Sequence, residues 1–303
     1  MSAYHFISAI ILDDTRNNEP VPVSVKDEKI LLKKKNRLWH LYDPNGEINR
    51  QPKEFQKGEA IMELQDFGTK PMIYEASDHK TICYRQGVYN ADRPGDFCLF
   101  LFFHGAGERG NDNKSQLTYI AEPLTKYLEE EKIKCVFLLP QCPSNERWTD
   151  KSFHADAQKS PNKPMQYATE LLDAKITEFH VDRRRIYICG ISMGGYATWD
   201  LLCRRPDFFA AGMPICGGVD CEQVVKLKDV PLTIYHGGID DVIPVSCSRD
   251  AVDALKKAGS TSFKYMEIPG VGHNVWISCF QDRKNFAWMF EQRRIDTGEI
   301  TIK

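Results

Sequence analysis

Residues 186–195 read Ile186-Tyr187-Ile188-Cys189-Gly190-Ile191-Ser192-Met193-Gly194-Gly195, and a helix-compatible run, 196–204, follows at once. Four apolar residues closed by a glycine are the pattern of a strand buried on both faces. A Gly-x-Ser-x-Gly segment between such a strand and a helix puts the serine on a sharp, strained turn, and the flanking glycines let the backbone pass close by. The hydroxyl is then exposed at the sheet edge, where the helix N-terminus favours a developing negative charge. With 20 glycines in 303 residues the motif alone is weak. Its place between strand and helix gives it weight.

The strand ending at Cys189 has neighbours of the same kind. Apolar runs recur at 97–103, 135–139, 210–215, 232–235 and 263–268, bounded by Gly and Pro. Between and around them lie helical stretches at 116–130, 165–179, 196–204, 248–258 and 281–293. In the second of these, Tyr167, Leu171, Ala174 and Ile176 approximate one helical face. From about residue 68 onward the alternation predicts an α/β class chain: one open, mostly parallel central sheet flanked by helices, with right-handed crossovers. Residues 1–67 differ in texture. Short apolar runs at 4–12, 29–32, 37–42 and 60–64 alternate with polar turns, and Asp43-Pro44-Asn45-Gly46 is a strong turn signal. That pattern predicts a small N-terminal β module or extra strands flanking the main sheet, with 68–303 as the catalytic domain. Residues 151–164 are polar and read as a surface loop.

Forty Lys and Arg against 42 Asp and Glu leave a formal charge of −2, with no basic excess to advertise a nucleic-acid or membrane partner. Lys33-Lys34-Lys35 with Arg37 reads as a solvated strand or turn. Of the ten cysteines, Cys98, Cys135, Cys189 and Cys216 lie inside apolar runs, where a free thiol behaves as a small buried hydrophobe. There is no Cys-x-x-Cys pair and no His-Glu-x-x-His, so the strong zinc signatures are missing. Residues 1–14 lack a basic n-region, and no apolar run approaches the ~18 residues of a membrane span. The expectation is a reducing, cytoplasmic setting.

A nucleophilic serine needs a base and an orienting acid, and in this strand–helix arrangement they follow in the order Ser, acid, His. Downstream of Ser192 stand two histidines. His236 opens the segment 236–244 directly after a strand and reads as a strand-end residue bonded within its own loop. His273, on a Gly-rich loop after the last strand, is the expected base. A carboxylate in the 236–244 loop lies at the C-terminal edge of the sheet beside the serine, and the tandem Asp240-Asp241 leaves two candidates for it. Upstream, Gly105-Ala106-Gly107-Glu108-Arg109-Gly110 also fits the dinucleotide fingerprint G-x-G-x-x-G. That reading requires the third glycine inside an opening helix and an acid ending the next strand. Asn111-Asp112-Asn113 delays the helix, and the next strand runs into Pro140-Gln141-Cys142-Pro143 without an acid. The glycines instead free backbone N–H groups for an oxyanion hole shared with the N–H of Met193.

The segments 104–110, 140–148, 190–195, 236–244 and 272–276 together resemble the α/β-hydrolase superfamily. Within it they resemble the compact esterase branch of feruloyl-esterase-like, polyhydroxybutyrate-depolymerase-like and dienelactone-hydrolase-like proteins, related to prolyl-oligopeptidase-type peptidases. The resemblance covers about residues 68–295. It implies an α/β-hydrolase fold, Ser192 as nucleophile, Asp240 rather than Asp241 as acid, His273 as base, and Ala106 with Met193 as oxyanion amides. It implies no metal and no organic cofactor. Trp148, just past a strand end, is expected to line the substrate site as an acyl or sugar platform, against a plain packing role. Trp276 is expected to buttress the His273 loop. Glu108-Arg109 reads either as a pair pinning the oxyanion loop or as an exposed pair of little consequence. The function expected is a serine carboxylic ester hydrolase for short-chain or aromatic esters, small-molecule or carbohydrate-linked. A serine peptidase acting on short peptides is the rival, and a catalytically silent binding module the remote one.

Overall fold

The computed structural model describes residues 66–149 and 160–294 and, ahead of them, the backbone of three strands. Residues 4–12, the Asp43–Gly46 turn, the run 60–64 and the 151–159 part of the polar loop lie outside the described residues. The chain divides into two compact units, Met1–Glu63 and Leu64–Lys303. In the first, β1 (Val21–Val25), β2 (Glu28–Lys35) and β3 (Leu38–Tyr42) form an antiparallel sheet in that order.

The second unit holds an eight-stranded sheet. Its strands are β4 (Thr69–Glu75), β5 (Thr81–Tyr89), β6 (Phe97–Phe103), β7 (Cys135–Pro140), β8 (Val181–Ile191), β9 (Ala211–Ile215), β10 (Leu232–Gly237) and β11 (Phe263–Ile268). The spatial order is β11-β10-β9-β8-β6-β7-β5-β4. Every pairing from β11 to β7 is parallel, while β5 and β4 add antiparallel strands at one edge. The fold class is thus α/β with a mostly parallel sheet flanked by helices. Strand β6 explains why the sheet is buried on both sides. Its alternate residues Leu99, Leu101 and Phe103 enter one core cluster, and Cys98, Phe100 and Phe102 enter the other. Each fully buried Phe or Leu contributes about 1.5–3 kcal/mol.

Helices cover both faces. On the Leu99 side pack α2 (Lys163–Glu178), α3 (Met193–Arg204), the short α4 (Cys221–Val224) and α5 (Ser246–Lys257). On the Phe100 side pack α1 (Ala121–Glu130), α6 (Trp276–Gln281) and α7 (Arg283–Glu291). Among the described residues no helix is long and apolar enough to cross a membrane.

Three expectations need correcting. The helix read at 281–293 divides at Asp282, whose side chain accepts the Lys284 N–H at 3.1 Å and starts α7 afresh. The helix read at 116–130 begins as a separate 3-10 turn, Ser115–Leu117, before α1. Ala174 lies at the margin of the α2 face, whose buried stripe is Met165, Ala168, Leu171, Leu172 and Ile176. Strands β4 and β5 were not read from the sequence because polar residues interrupt them. Arg85 in the middle of β5 is buried only because its guanidinium is satisfied: Nε donates to Thr69 Oγ1 at 2.9 Å, and Nη2 to the Thr69 carbonyl at 3.0 Å and to Asp66.

Because the central strands run parallel, the loops after β6, β7, β8, β10 and β11 all leave on one edge of the sheet. That edge carries the site.

Candidate active site

Ser192 stands between β8 and α3 at φ 54°, ψ −118°, a left-handed backbone setting costing about 1–3 kcal/mol for a residue with a Cβ. The turn is held by close packing. A methyl on Gly194 would stand 1.9 Å from the Phe103 carbonyl oxygen, and one on Gly190 would stand 2.2 Å from the Gly194 carbonyl oxygen. Only glycine lets β6, β8 and α3 approach so closely. The Ser192 N–H donates to the Ile215 carbonyl at 2.9 Å. Met193 opens α3, and first-turn N–H groups have no partner inside their helix.

His273 reaches the serine from the loop after β11. Its Nε2 lies 2.8 Å from Ser192 Oγ, and its Nδ1–H donates to Asp240 Oδ2 at 2.8 Å. The Trp276 ring meets the imidazole edge-on, with centroids 5.1 Å apart, so Trp276 packs directly against the histidine. The carboxylate at His273 is that of Asp240; Asp241 next to it is exposed. Asp240 Oδ1 accepts the N–H groups of Val242 and Ile243, each at 2.9 Å. Burial pushes this carboxyl up, but hydrogen bonds from His236, His273 and the two amides outweigh it and hold it well below the usual carboxylate range. Asp240 is therefore ionised and oriented before any substrate arrives.

His236 is buried and bonded within its loop. Nδ1 stands 2.7 Å from Ser248 Oγ, while Nε2 faces the Ile243 carbonyl at 3.0 Å and Asp240 Oδ2 at 3.3 Å. Two acceptors at Nε2 make that nitrogen a donor. The second histidine thus steadies the same carboxylate oxygen that His273 meets, a contact the i,i+4 spacing alone did not reveal. Cys216 joins the group: its thiol donates to the His273 carbonyl at 3.3 Å. Cys216, His236 and Asp240 bring donor atoms within 4.8 Å of one another. Burial pushes the thiol up, so it keeps its proton and serves as a donor within this hydrogen-bonded cluster.

Ala106 begins a 3-10 turn, Ala106–Glu108, on the loop after β6, and Gly105 before it approaches Ser192. His104 anchors that loop. Its Nδ1–H donates to the Gly105 carbonyl at 2.6 Å, and its Nε2 accepts the Cys142 N–H at 2.9 Å. An imidazole accepting at Nε2 is neutral, and burial pushes its pKa down to about 4.

Trp148 departs from expectation. It is 0% exposed, its ring sits edge-on to Phe103 and His104 at 4.9 and 5.2 Å, and its indole N–H donates to the His104 carbonyl at 3.1 Å. It offers no face to a substrate and instead holds the loop after β6 through the His104 carbonyl. Beside His273 stands the buried Trp276, and the half-buried ring of Tyr119 lies 5.5 Å from Trp276. Tyr119 carried no sequence signal; it precedes α1, 154 positions from His273 in the chain, and the fold brings it against Trp276.

Known proteins agree with this architecture. The Phospholipase/Carboxylesterase family profile matches residues 90–289. The chain is 24% identical over 200 residues to carboxylesterase SOBER1 of Arabidopsis thaliana, covering 58% of this chain and 83% of that protein. It is 32% identical over 126 residues to the bifunctional acetylxylan esterase/xylanase XynS20E of Neocallimastix patriciarum, covering 39% of this chain and 19% of that one. Among solved structures, a thermostable esterase superposes with a TM-score of 0.68 at 33% identity, covering 75% of this chain, which spans 64% of that protein's length. The family match runs through the central sheet and every loop that carries the site, so this chain belongs to the Phospholipase/Carboxylesterase family and is a serine carboxylic ester hydrolase on the α/β-hydrolase fold.

Proposed function

We propose that Ser192 is the nucleophile, His273 the general base and acid, Asp240 the orienting acid, and the N–H groups of Ala106 and Met193 the oxyanion hole. The observation that carries the reading is the unbroken relay from Asp240 Oδ2 through His273 to Ser192 Oγ, 2.8 Å at each step. Ser192 Oγ attacks the ester carbonyl as His273 Nε2 takes its proton, and Asp240 stabilises the imidazolium that forms. The carbonyl oxygen becomes an oxyanion in front of the two amides; one such donor is worth about 10²–10³ in turnover. His273 then protonates the leaving alcohol as the C–O bond breaks. Water repeats the sequence on the acyl-serine, releasing the acid and restoring the hydroxyl.

The substrates we infer are esters of short or aromatic acyl groups with small-molecule or carbohydrate-linked alcohols. Between Ser192 and Asp240 the chain is taken up by α3, β9, α4 and β10, which supports a site without a cap inserted there. Ile239 and Val242, 65% and 48% exposed, flank Asp240 in the chain, and we infer that they form a short apolar rim. Such a rim covers a compact acyl group but not a long chain, which gains ~0.8 kcal/mol per methylene only where it is buried. Tyr119 beside Trp276 supports the aromatic option. All ten cysteines are free thiols, which supports the reducing, cytoplasmic setting. The test is kcat/KM across acetyl, butyryl, octanoyl, palmitoyl and feruloyl esters, with aminoacyl amides alongside. The reading expects acetyl, butyryl and feruloyl esters to lead; a steady rise toward palmitoyl, or faster amide cleavage, contradicts it.

A further inference from the structure

Glu108 and Arg109 sit side by side on the oxyanion loop, yet among the described residues no ion pair joins them. Each holds the loop separately. The Glu108 side chain folds back on its own turn. Its Oε2 lies 3.0 Å from the point a methyl on Gly105 would occupy, and the same point is 3.6 Å from Ser192 Cβ. Burial is the largest influence on this carboxyl and pushes it up, while the backbone N–H groups of Gly105 and of Glu108 itself act against that. Arg109 takes the opposite pole of the turn: its Nε–H donates to the Ala106 carbonyl at 2.9 Å, and Nη1 to the Glu146 carbonyl at 3.3 Å. From outside, Gln141 Nε2 donates to the Glu108 carbonyl at 3.1 Å.

The loop needs such ties. Gly105, Gly107 and Gly110 leave it with few side chains to pack, and a methyl on Gly107 would meet nothing within 4 Å. Fixing one residue's backbone costs about 1–2 kcal/mol, and glycine is the most expensive to fix. A donor that wanders contributes little to an oxyanion, because the benefit lies in its being aimed beforehand.

We propose that Glu108 and Arg109 are positioning residues that clamp the Ala106 turn, the carboxylate folded over Gly105 and the guanidinium on the Ala106 carbonyl, so that the Ala106 N–H is the donor left for the oxyanion. The proposal rests on the reading of Ser192 as nucleophile and Ala106 as oxyanion donor. The clamp works through another group, so its effect belongs to the transition state. Removing it lowers kcat while leaving ground-state binding largely alone.

The experiment compares Glu108→Ala, Glu108→Gln and Arg109→Ala on a butyryl ester, with a trifluoromethyl ketone as transition-state analogue and Ser192→Ala as control. The clamp predicts that Glu108→Ala lowers kcat about 10²-fold with KM nearly unchanged, and weakens the ketone in proportion to kcat/KM. Glu108→Gln, whose amide oxygen still accepts an N–H, recovers at least about tenfold of that loss. Arg109→Ala falls in the same direction. If Ser192→Ala retains turnover, the nucleophile reading fails and the clamp with it. If Ser192→Ala is dead while Glu108→Ala turns over like the wild type, the clamp alone is refuted. Equal losses in Glu108→Ala and Glu108→Gln, carried in KM, also refute it and assign the carboxylate's charge to substrate binding.

Discussion

Acidification should loosen this protein through His104 before it touches the triad carboxylate. In the folded chain the His104 Nε2 accepts the Cys142 N–H, so protonation breaks that bond and leaves a charge among buried groups. Burial is the largest influence and places its pKa at about 4, against an ordinary value near 6.5. Arg109 pushes in the same direction, while the Gly105 carbonyl and Asp112 oppose. The unfolded chain therefore takes up the proton first. The contribution is fully present above pH ~6.5, declines as pH falls toward ~4, and changes no further once the folded imidazole is protonated too. Each unit of separation is worth 1.36 kcal/mol, so the loss across that window is about 3 kcal/mol, a sizeable share of a typical 5–15 kcal/mol. Urea unfolding followed by tryptophan fluorescence, on wild type and His104→Gln at a series of pH values, isolates it from other titrating groups. His104→Gln should be less stable at neutral pH, through the lost Gly105 bond, and the gap should close as pH falls. Parallel curves, with a constant gap from neutral pH to ~4.5, would refute the neutral, N–H-accepting imidazole.

Other substitutions follow from the same geometry. Asp240→Asn should cost about 10⁴-fold in kcat, because an amide orients the wrong tautomer of His273, whereas Asp241→Asn should leave turnover almost intact; steady-state assay of both decides the acid. Trp148→Phe leaves the His104 carbonyl without its indole donor and should cost about 1–3 kcal/mol in thermal or urea unfolding. It should lower kcat alike on acetyl and feruloyl esters, whereas a loss confined to feruloyl esters would restore Trp148 as a platform. Gly194→Ala drives a methyl into the Phe103 carbonyl and should destabilise by at least about 3 kcal/mol or prevent soluble expression.

The sheet was legible wherever a strand is buried on both faces. The run at 97–103 matches β6 residue for residue, because a continuous apolar segment between glycines and prolines has few other homes. It was not legible in β5, where Arg85 breaks the pattern and its burial depends on Thr69 and Asp66. The site divides the same way. Ser192 is marked by strand, glycines and helix, and His273 by order along the chain; that order left Asp240 and Asp241 both open, and only the resemblance pointed to Asp240. Trp148 misled because its position after a strand end says where it lies but not which way its ring turns. The support given by His104 and His236 hangs on backbone groups of Cys142 and Ile243, which no side-chain pattern encodes.

The most direct test of the account is to treat the protein with a fluorophosphonate probe and map the adduct by peptide mass spectrometry, in wild type, Ser192→Ala and Asp240→Asn. The relay of Asp240, His273 and Ser192 predicts a single phosphonylated residue, Ser192, in step with complete loss of esterase activity. Labelling should be absent from Ser192→Ala and much slowed in Asp240→Asn. An adduct that persists in Ser192→Ala, or esterase activity that survives full labelling of Ser192, would contradict it.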